Sequence, residues 1–158
     1  MCQFELAGYN FGVRLESVRE IVPMAALSRP PSIPSILEGF LNLRGTSLAV
    51  LRMALVLGLP EHQLELHTPL VIVRSGNVPL ALLVTRVTGI VSVPIGAWAA
   101  ISKSDSFNGC VDGLFTTAGG AVHLLSLDRL LLEKEMQVLA EFQSIETRRL
   151  SQMTQKPS

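Results

Sequence analysis

Ile36-Leu37-Glu38-Gly39-Phe40-Leu41-Asn42-Leu43-Arg44-Gly45-Thr46-Ser47-Leu48-Ala49-Val50-Leu51 is the stretch that decides the fold. A mostly apolar run from Ile36 to Leu43 meets Arg44-Gly45, a pair suited to a hairpin tip, and Ser47 to Leu51 reads as the return strand. Just upstream, Arg29-Pro30-Pro31-Ser32-Ile33-Pro34-Ser35 carries three prolines within five residues. Proline fixes φ and lacks an N–H, so this segment reads as a stiff, extended crossing loop. The hairpin tip places a lone guanidinium in an apolar neighbourhood. Arg44 there either ties down backbone carbonyls and a carboxylate or reaches a partner.

On the N-terminal side, Phe4, Leu6, Tyr9, Phe11 and Val13 predict strands near 3–7 and 10–15, folded about the turn-like Gly8-Tyr9-Asn10. Val18, Ile21 and Val22 form a short element that Pro23 ends. On the C-terminal side, Met53 to Leu57 reads as a brief helix before the Gly58-Leu59-Pro60 stop. Glu61 to Thr68 is a polar connecting loop. Leu70 to Val73, Pro79 to Val84 and Val87 to Val93 are further strands, with Ser75-Gly76-Asn77 as a turn between the first two. Ala121 to Leu125 is a last strand after Gly119-Gly120, and Asp105, Asp112 and Asp128 read as turn and cap residues. Short strands punctuated by Gly and Pro predict an all-β barrel or sandwich.

The exception is Asp128 to Leu150, rich in Leu, Glu, Lys, Gln and Ala without Gly or Pro, which predicts a helix. Ser126 or Asp128 is its expected N-cap, and Arg148 and Arg149 are placed to complement its dipole. Leu132, Met136, Leu139 and Phe142 form an apolar stripe for docking on the chain's own core or on a partner helix. Residues 1–150 are read as one domain and 151–158 as a disordered tail.

Composition excludes several partners. Of 158 residues 48% are hydrophobic and only 16% charged, and 13 basic residues balance 13 acidic ones. With a sequence pI near 6.8 and no basic cluster beyond Arg148-Arg149, recognition of nucleic acid or anionic lipid has no electrostatic basis. The mean hydropathy of +0.42 invites a membrane reading. The longest uncharged run, Val87 to Ser102, falls short of the ~20 residues that a spanning helix needs and is broken by Gly89, Pro94 and Gly96. The opening Met1-Cys2-Gln3-Phe4-Glu5 has no signal-like pattern, which predicts a cytoplasmic location.

Chemistry finds little support. Cys2 and Cys110 lack a CxxC partner and read as small apolar residues. His62 and His67 do not have metal-ligand helical spacing, and His123 lies in an apolar strand without a nearby carboxylate. There is no nucleophile elbow, phosphate loop or dinucleotide fingerprint. The expectation is no enzyme, no cofactor and no metal.

The order and spacing of these motifs resemble the CheW-like domain family of bacterial chemotaxis, from about Phe4 to Leu139. The carrying residues are Phe4-x-Leu6-x-Gly8-x-x-Phe11-Gly12-Val13, Val18-Arg19-Glu20-Ile21, Pro31-x-x-Pro34-x-x-x-x-Gly39 and Asn42-Leu43-Arg44-Gly45. Leu57-Gly58-Leu59, Leu82-Leu83-Val84-x-x-Val87, Asp112-Gly113 and Leu124-Leu125-x-Leu127-Asp128-Arg129-Leu130-Leu131 follow.

The resemblance implies a mainly β fold of two packed SH3-like five-stranded β-barrels sharing an apolar seam, with a C-terminal helix. It implies a non-enzymatic adaptor linking the cytoplasmic tip of a methyl-accepting chemoreceptor to the regulatory domain of a CheA-type histidine kinase, recruited to receptor arrays without entering the membrane. It marks Val18, Glu20, Gly39, Asn42, Arg44 and Gly45 as partner-binding positions. The chain departs from the family at two places: Arg52 and Thr85 stand where carboxylates are usual. If Arg44 relied on the first, it would face Arg52, an unfavourable pair unless the two diverge or Glu38 or Glu20 compensates. These departures motivate an alternative, a divergent module of a non-chemotactic two-component or self-assembling complex. A small-molecule barrel would need a deep pocket with converging polar groups.

Overall fold

The computed structural model describes residues 1–60, 68–75, 78–94, 96–99, 107, 109–117, 119–130 and 133–154. The chain begins in one sheet, builds another, and returns. β1 (Cys2–Leu6) and β2 (Tyr9–Val13) lead through a 3-10 turn (Leu15–Ser17) to β3 (Val18–Pro23), β4 (Leu37–Leu43) and β5 (Thr46–Leu51). A short helix α1 (Met53–Leu57) precedes β6 (Pro69–Ser75), β7 (Val78–Leu83) and β8 (Arg86–Ile90). Next come β9 (Val111–Thr117), β10 (Gly120–Leu125), a 3-10 turn (Leu127–Arg129) and α2 (Glu133–Thr154). The two five-stranded sheets have the orders β8-β1-β2-β10-β9 and β3-β6-β7-β5-β4.

Both sheets follow one plan. In each, an edge strand (β8 or β3) pairs with the first strand of a hairpin (β1–β2 or β6–β7). The second strand of that hairpin runs parallel to the second strand of another (β9–β10 or β4–β5). The bulges coincide. Glu38 is the extra residue of β4 and Asp112 of β9, while Arg19 interrupts β3 and Thr88 interrupts β8. The chain leaving each edge strand then meets the opposite edge at a single bridge, Ser28 with Phe40 and Ala99 with Leu114. Each sheet is therefore curled so that the segment following its first strand bridges its last, which fits the expected two-subdomain layout.

Alternation along the strands shows where the cores sit. Ala49, Leu51, Val71, Val73, Leu80 and Leu82 face a large cluster shared with Phe4, Leu6, Phe11 and Val13 of the other sheet. Their neighbours Leu48, Val50, Leu70, Ile72, Ala81 and Leu83 fill a second cluster inside the curl. Strands buried on both faces lose the polar alternation of a half-exposed sheet, which explains their continuous apolar runs and the high hydropathy.

Several expectations need correction. β9 was not foreseen: Asp112-Gly113 imitates a turn, but Asp112 is the bulge residue of a strand and pairs with Arg129 at 3.0 Å. The strand expected to reach Val93 stops at Ile90, shortly before Pro94. The long helix starts at Glu133 instead of Asp128, because 127–129 forms a 3-10 turn after Ser126, whose side chain makes no cap bond. It runs to Thr154, past the expected end at Leu150, so Arg148 and Arg149 lie more than a turn from its C-terminus. Arg149 pairs with Glu146 at 2.9 Å instead. The first turn is Ala7-Gly8, with φ 50° and 85°, one step earlier than expected. His62, His67, Asp105, the turn residues Gly76 and Asn77, Leu132 of the stripe and tail residues 155–158 lie outside the described residues.

Candidate functional site: the Arg44 hairpin and its surroundings

A two-residue turn joins Leu43 to Thr46, and both of its residues, Arg44 and Gly45, have positive φ (51° and 86°). This is the type I′ pattern, whose twist matches that of the flanking strands. Glycine adopts it without strain. Arginine does not, and the Asn42 side-chain oxygen secures the turn by accepting the Gly45 N–H at 2.9 Å. So Asn42, Arg44 and Gly45 act as one unit.

Held in this way, Arg44 reaches across the open side of the curled sheet. Its guanidinium donates to Glu20 Oε1 at 2.7 Å, joining the β4–β5 turn to edge strand β3. The side chains are 72% and 32% exposed, so the pair lies in solvent and is worth no more than about 1 kcal/mol. Beside it opens a groove of about 420 Å³ with Arg19, Glu20 and Arg44 at its rim and Leu43, Leu48 and Ile72 beneath. A weak, exposed ion pair over apolar side chains contributes little to folding.

The other marked positions lie apart. Val18 is half-buried against the shared core. Gly39 sits at the far end of β4, under the strap that carries Ser28. A Cβ there would lie 2.9 Å from the Ser28 carbonyl oxygen and 3.0 Å from Leu27 Cβ, and φ is 157°. The Ser28 and Phe40 amides exchange hydrogen bonds at 2.8 Å, so the strap cannot simply lift. Gly39 is required by the backbone.

Arg52 and Thr85 are accommodated locally. Glu38, the bulge residue, takes Arg52 Nε on one oxygen and Arg29 Nη2 on the other, each at 3.0 Å, while Arg29 Nε donates to the Glu38 carbonyl at 2.9 Å. Arg44 and Arg52 therefore diverge to separate carboxylates, Glu20 and Glu38. Thr85 Oγ1 accepts the Ala7 N–H at 3.3 Å, serving the β1–β2 turn. The like-charge contact that motivated a divergent partner does not form.

His123 packs edge-on to Phe107, with ring centroids 4.8 Å apart, and its Nδ1 lies 3.1 Å from the Asn10 carbonyl. Burial pushes the Cys2 thiol up from its ordinary pKa, against a smaller opposing effect of the N-terminal ammonium. Among the described residues there is no cluster of three metal-ligating side chains, and no described helix is long and apolar enough to cross a membrane.

Sequence reasoning missed the polar residues that dock α2. Gln143 Oε1 accepts the Ala49 N–H at 2.6 Å, Thr147 Oγ1 accepts the Ser47 N–H at 3.1 Å, and Glu146 accepts the Ser28 hydroxyl at 3.1 Å. Only the apolar stripe was legible: Leu139 is buried and Phe142 stacks on Phe40 at 6.2 Å. The helix docks on the chain's own core and leaves Glu141, Ser144, Ile145 and Arg148 outward.

The model of the CheW-like domain matches residues 1–135. The chemotaxis protein CheW of Thermotoga maritima is 23% identical over 130 residues, which cover 82% of this chain and 85% of that protein. The crystal structure of the scaffolding protein TtCheW from Thermoanaerobacter tengcongensis superposes with a TM-score of 0.76 at 21% identity, covering 82% of this chain and 89% of that one.

Proposed function

The chain belongs to the CheW-like domain family, and on that premise we propose that it is a non-enzymatic adaptor of chemotaxis signalling. It joins the regulatory domain of a CheA-type histidine kinase to the cytoplasmic tip of a methyl-accepting chemoreceptor, and works beside the membrane within receptor arrays. The observation that carries this reading is the Arg44–Glu20 pair at 2.7 Å beside a groove lined by both polar and apolar side chains. It presents both signs of charge beside apolar surface, the composition of a modest, reversible interface burying ~1,000–1,600 Å² in total. Val18 and Gly39 serve the same face indirectly, by setting the edge strand and the strap.

The test is ternary assembly. Vesicles bearing the receptor should sediment the kinase only when this chain is present, and the Arg44→Ala variant should bring down less of it. Kinase sedimentation that does not depend on this chain would overturn the proposal.

A further inference from the structure

Helix α2 begins where the match to the family model ends, at residues 133–135, yet it is hydrogen-bonded into the β4–β5 hairpin. The bonding has a geometric cause. Gln143 and Thr147 are four apart on a helix, a span of about 6.0 Å, and Ser47 and Ala49 are two apart on a strand, a span of about 6.6 Å. These repeats match closely enough for a helix laid along β5 to take alternate amides.

The pairing of β5 with β7 is short at this end. The parallel ladder of β5 with β7 starts at Ala49↔Leu80, whereas the equivalent ladder of β10 with β2 starts one pair earlier, at Val122↔Asn10. The position that matches Asn10 is Pro79, which has no N–H to donate and so cannot extend the ladder by that pair. α2 supplies side-chain acceptors for the Ser47 and Ala49 N–H groups.

The contacts also span the hairpin. Glu146 holds Ser28, whose backbone crosses Gly39, and Phe142 stacks on Phe40. Thr147 holds Ser47, two residues beyond the Arg44-Gly45 turn. One helix thus ties both ends of the element that carries Gly39 and Arg44.

We propose that α2 is a splint that preorganises the β4–β5 hairpin for its protein partner, with Gln143 and Thr147 as positioning residues. This rests on the adaptor reading above. Without the splint, the hairpin would have to be ordered during binding, and the affinity would fall by that amount.

The experiment compares the double variant Gln143→Leu/Thr147→Val, which removes both acceptors, with Gln143→Glu/Thr147→Ser, which keeps them. Amide hydrogen exchange at Ser47 and Ala49 is read in the free protein, and titration calorimetry against the kinase regulatory domain gives Kd. The first variant should exchange at least about tenfold faster at both amides and bind about five- to tenfold more weakly. The second should restore both. The single Thr147→Val variant decides the matter if the double variant does not fold. Faster exchange with unchanged Kd would overturn the proposal, as would unchanged exchange. An equal loss of affinity in Ile145→Ser, on the outward face, would make α2 a contact surface and equally overturn it. If the wild type does not bind, the adaptor reading fails, while the exchange data still judge whether α2 holds the hairpin.

Discussion

Arg44 and Glu20 are bonded at 2.7 Å although they stand on elements at opposite edges of one sheet, the β4–β5 turn and β3. The sheet must curl to bring them together, and this ion pair spans the open side of the curl. Its solvent exposure sets what each partner can contribute.

Arg44→Ala should lower the folding free energy by less than about 1 kcal/mol, because an exposed pair in high dielectric returns little. Chemical denaturation of the single and double Arg44/Glu20 variants checks this through a double-mutant cycle. A coupling well above that value would give the pair a structural role.

Glu38 behaves differently. Its side chain is 13% exposed and receives two guanidiniums, so Glu38→Gln weakens both ion pairs and brings Arg29 and Arg52 together without a counter-charge. A loss of about 1–3 kcal/mol is expected, larger than for Arg44→Ala. Urea midpoints at constant slope test the order of the two.

Gly39→Ala should be among the more damaging small substitutions in the hairpin. The added methyl meets the Ser28 carbonyl at 2.9 Å, in a backbone conformation that costs an L-residue about 1–3 kcal/mol. Either the Ser28–Phe40 bridge opens or the strand shifts. Faster amide exchange at Ser28 and Phe40 would accompany the fall in melting temperature.

Cys2 should react sluggishly with thiol reagents, and its reaction should set in at higher pH than that of a free thiol. Burial favours the neutral form, and the thiolate is the nucleophile. The sign for stability follows. The folded state holds this proton more tightly than the unfolded chain, so the contribution is present below the ordinary thiol pKa and is lost as pH rises above it. Rates of alkylation between pH 7 and 10 test the direction.

The hairpin around Arg44-Gly45, the proline-rich crossing and most strands were legible because their signals are local: turn chemistry, missing N–H groups and β-branched runs. Strand β9 was hidden by a bulge, since Asp112-Gly113 is what a turn and a bulge both require. The helix start was misplaced because a 3-10 turn at 127–129 uses the same residues as a helix N-terminus. At the site, Arg44 was recognisable from its sequence setting, and its two possible carboxylates, Glu20 and Glu38, could be named. Which of them it would take was not legible, because the answer depends on the curl of the sheet. Gln143 and Thr147 gave no signal, since an acceptor for a strand amide looks like any polar helix residue.

Titration calorimetry of the kinase regulatory domain into this chain and into its Arg44→Ala variant tests the adaptor account most directly. The account predicts a 1:1 complex for the wild type and an affinity at least about tenfold weaker for a variant that melts within a few degrees of it. Equal affinities, or no wild-type complex at all, would contradict it.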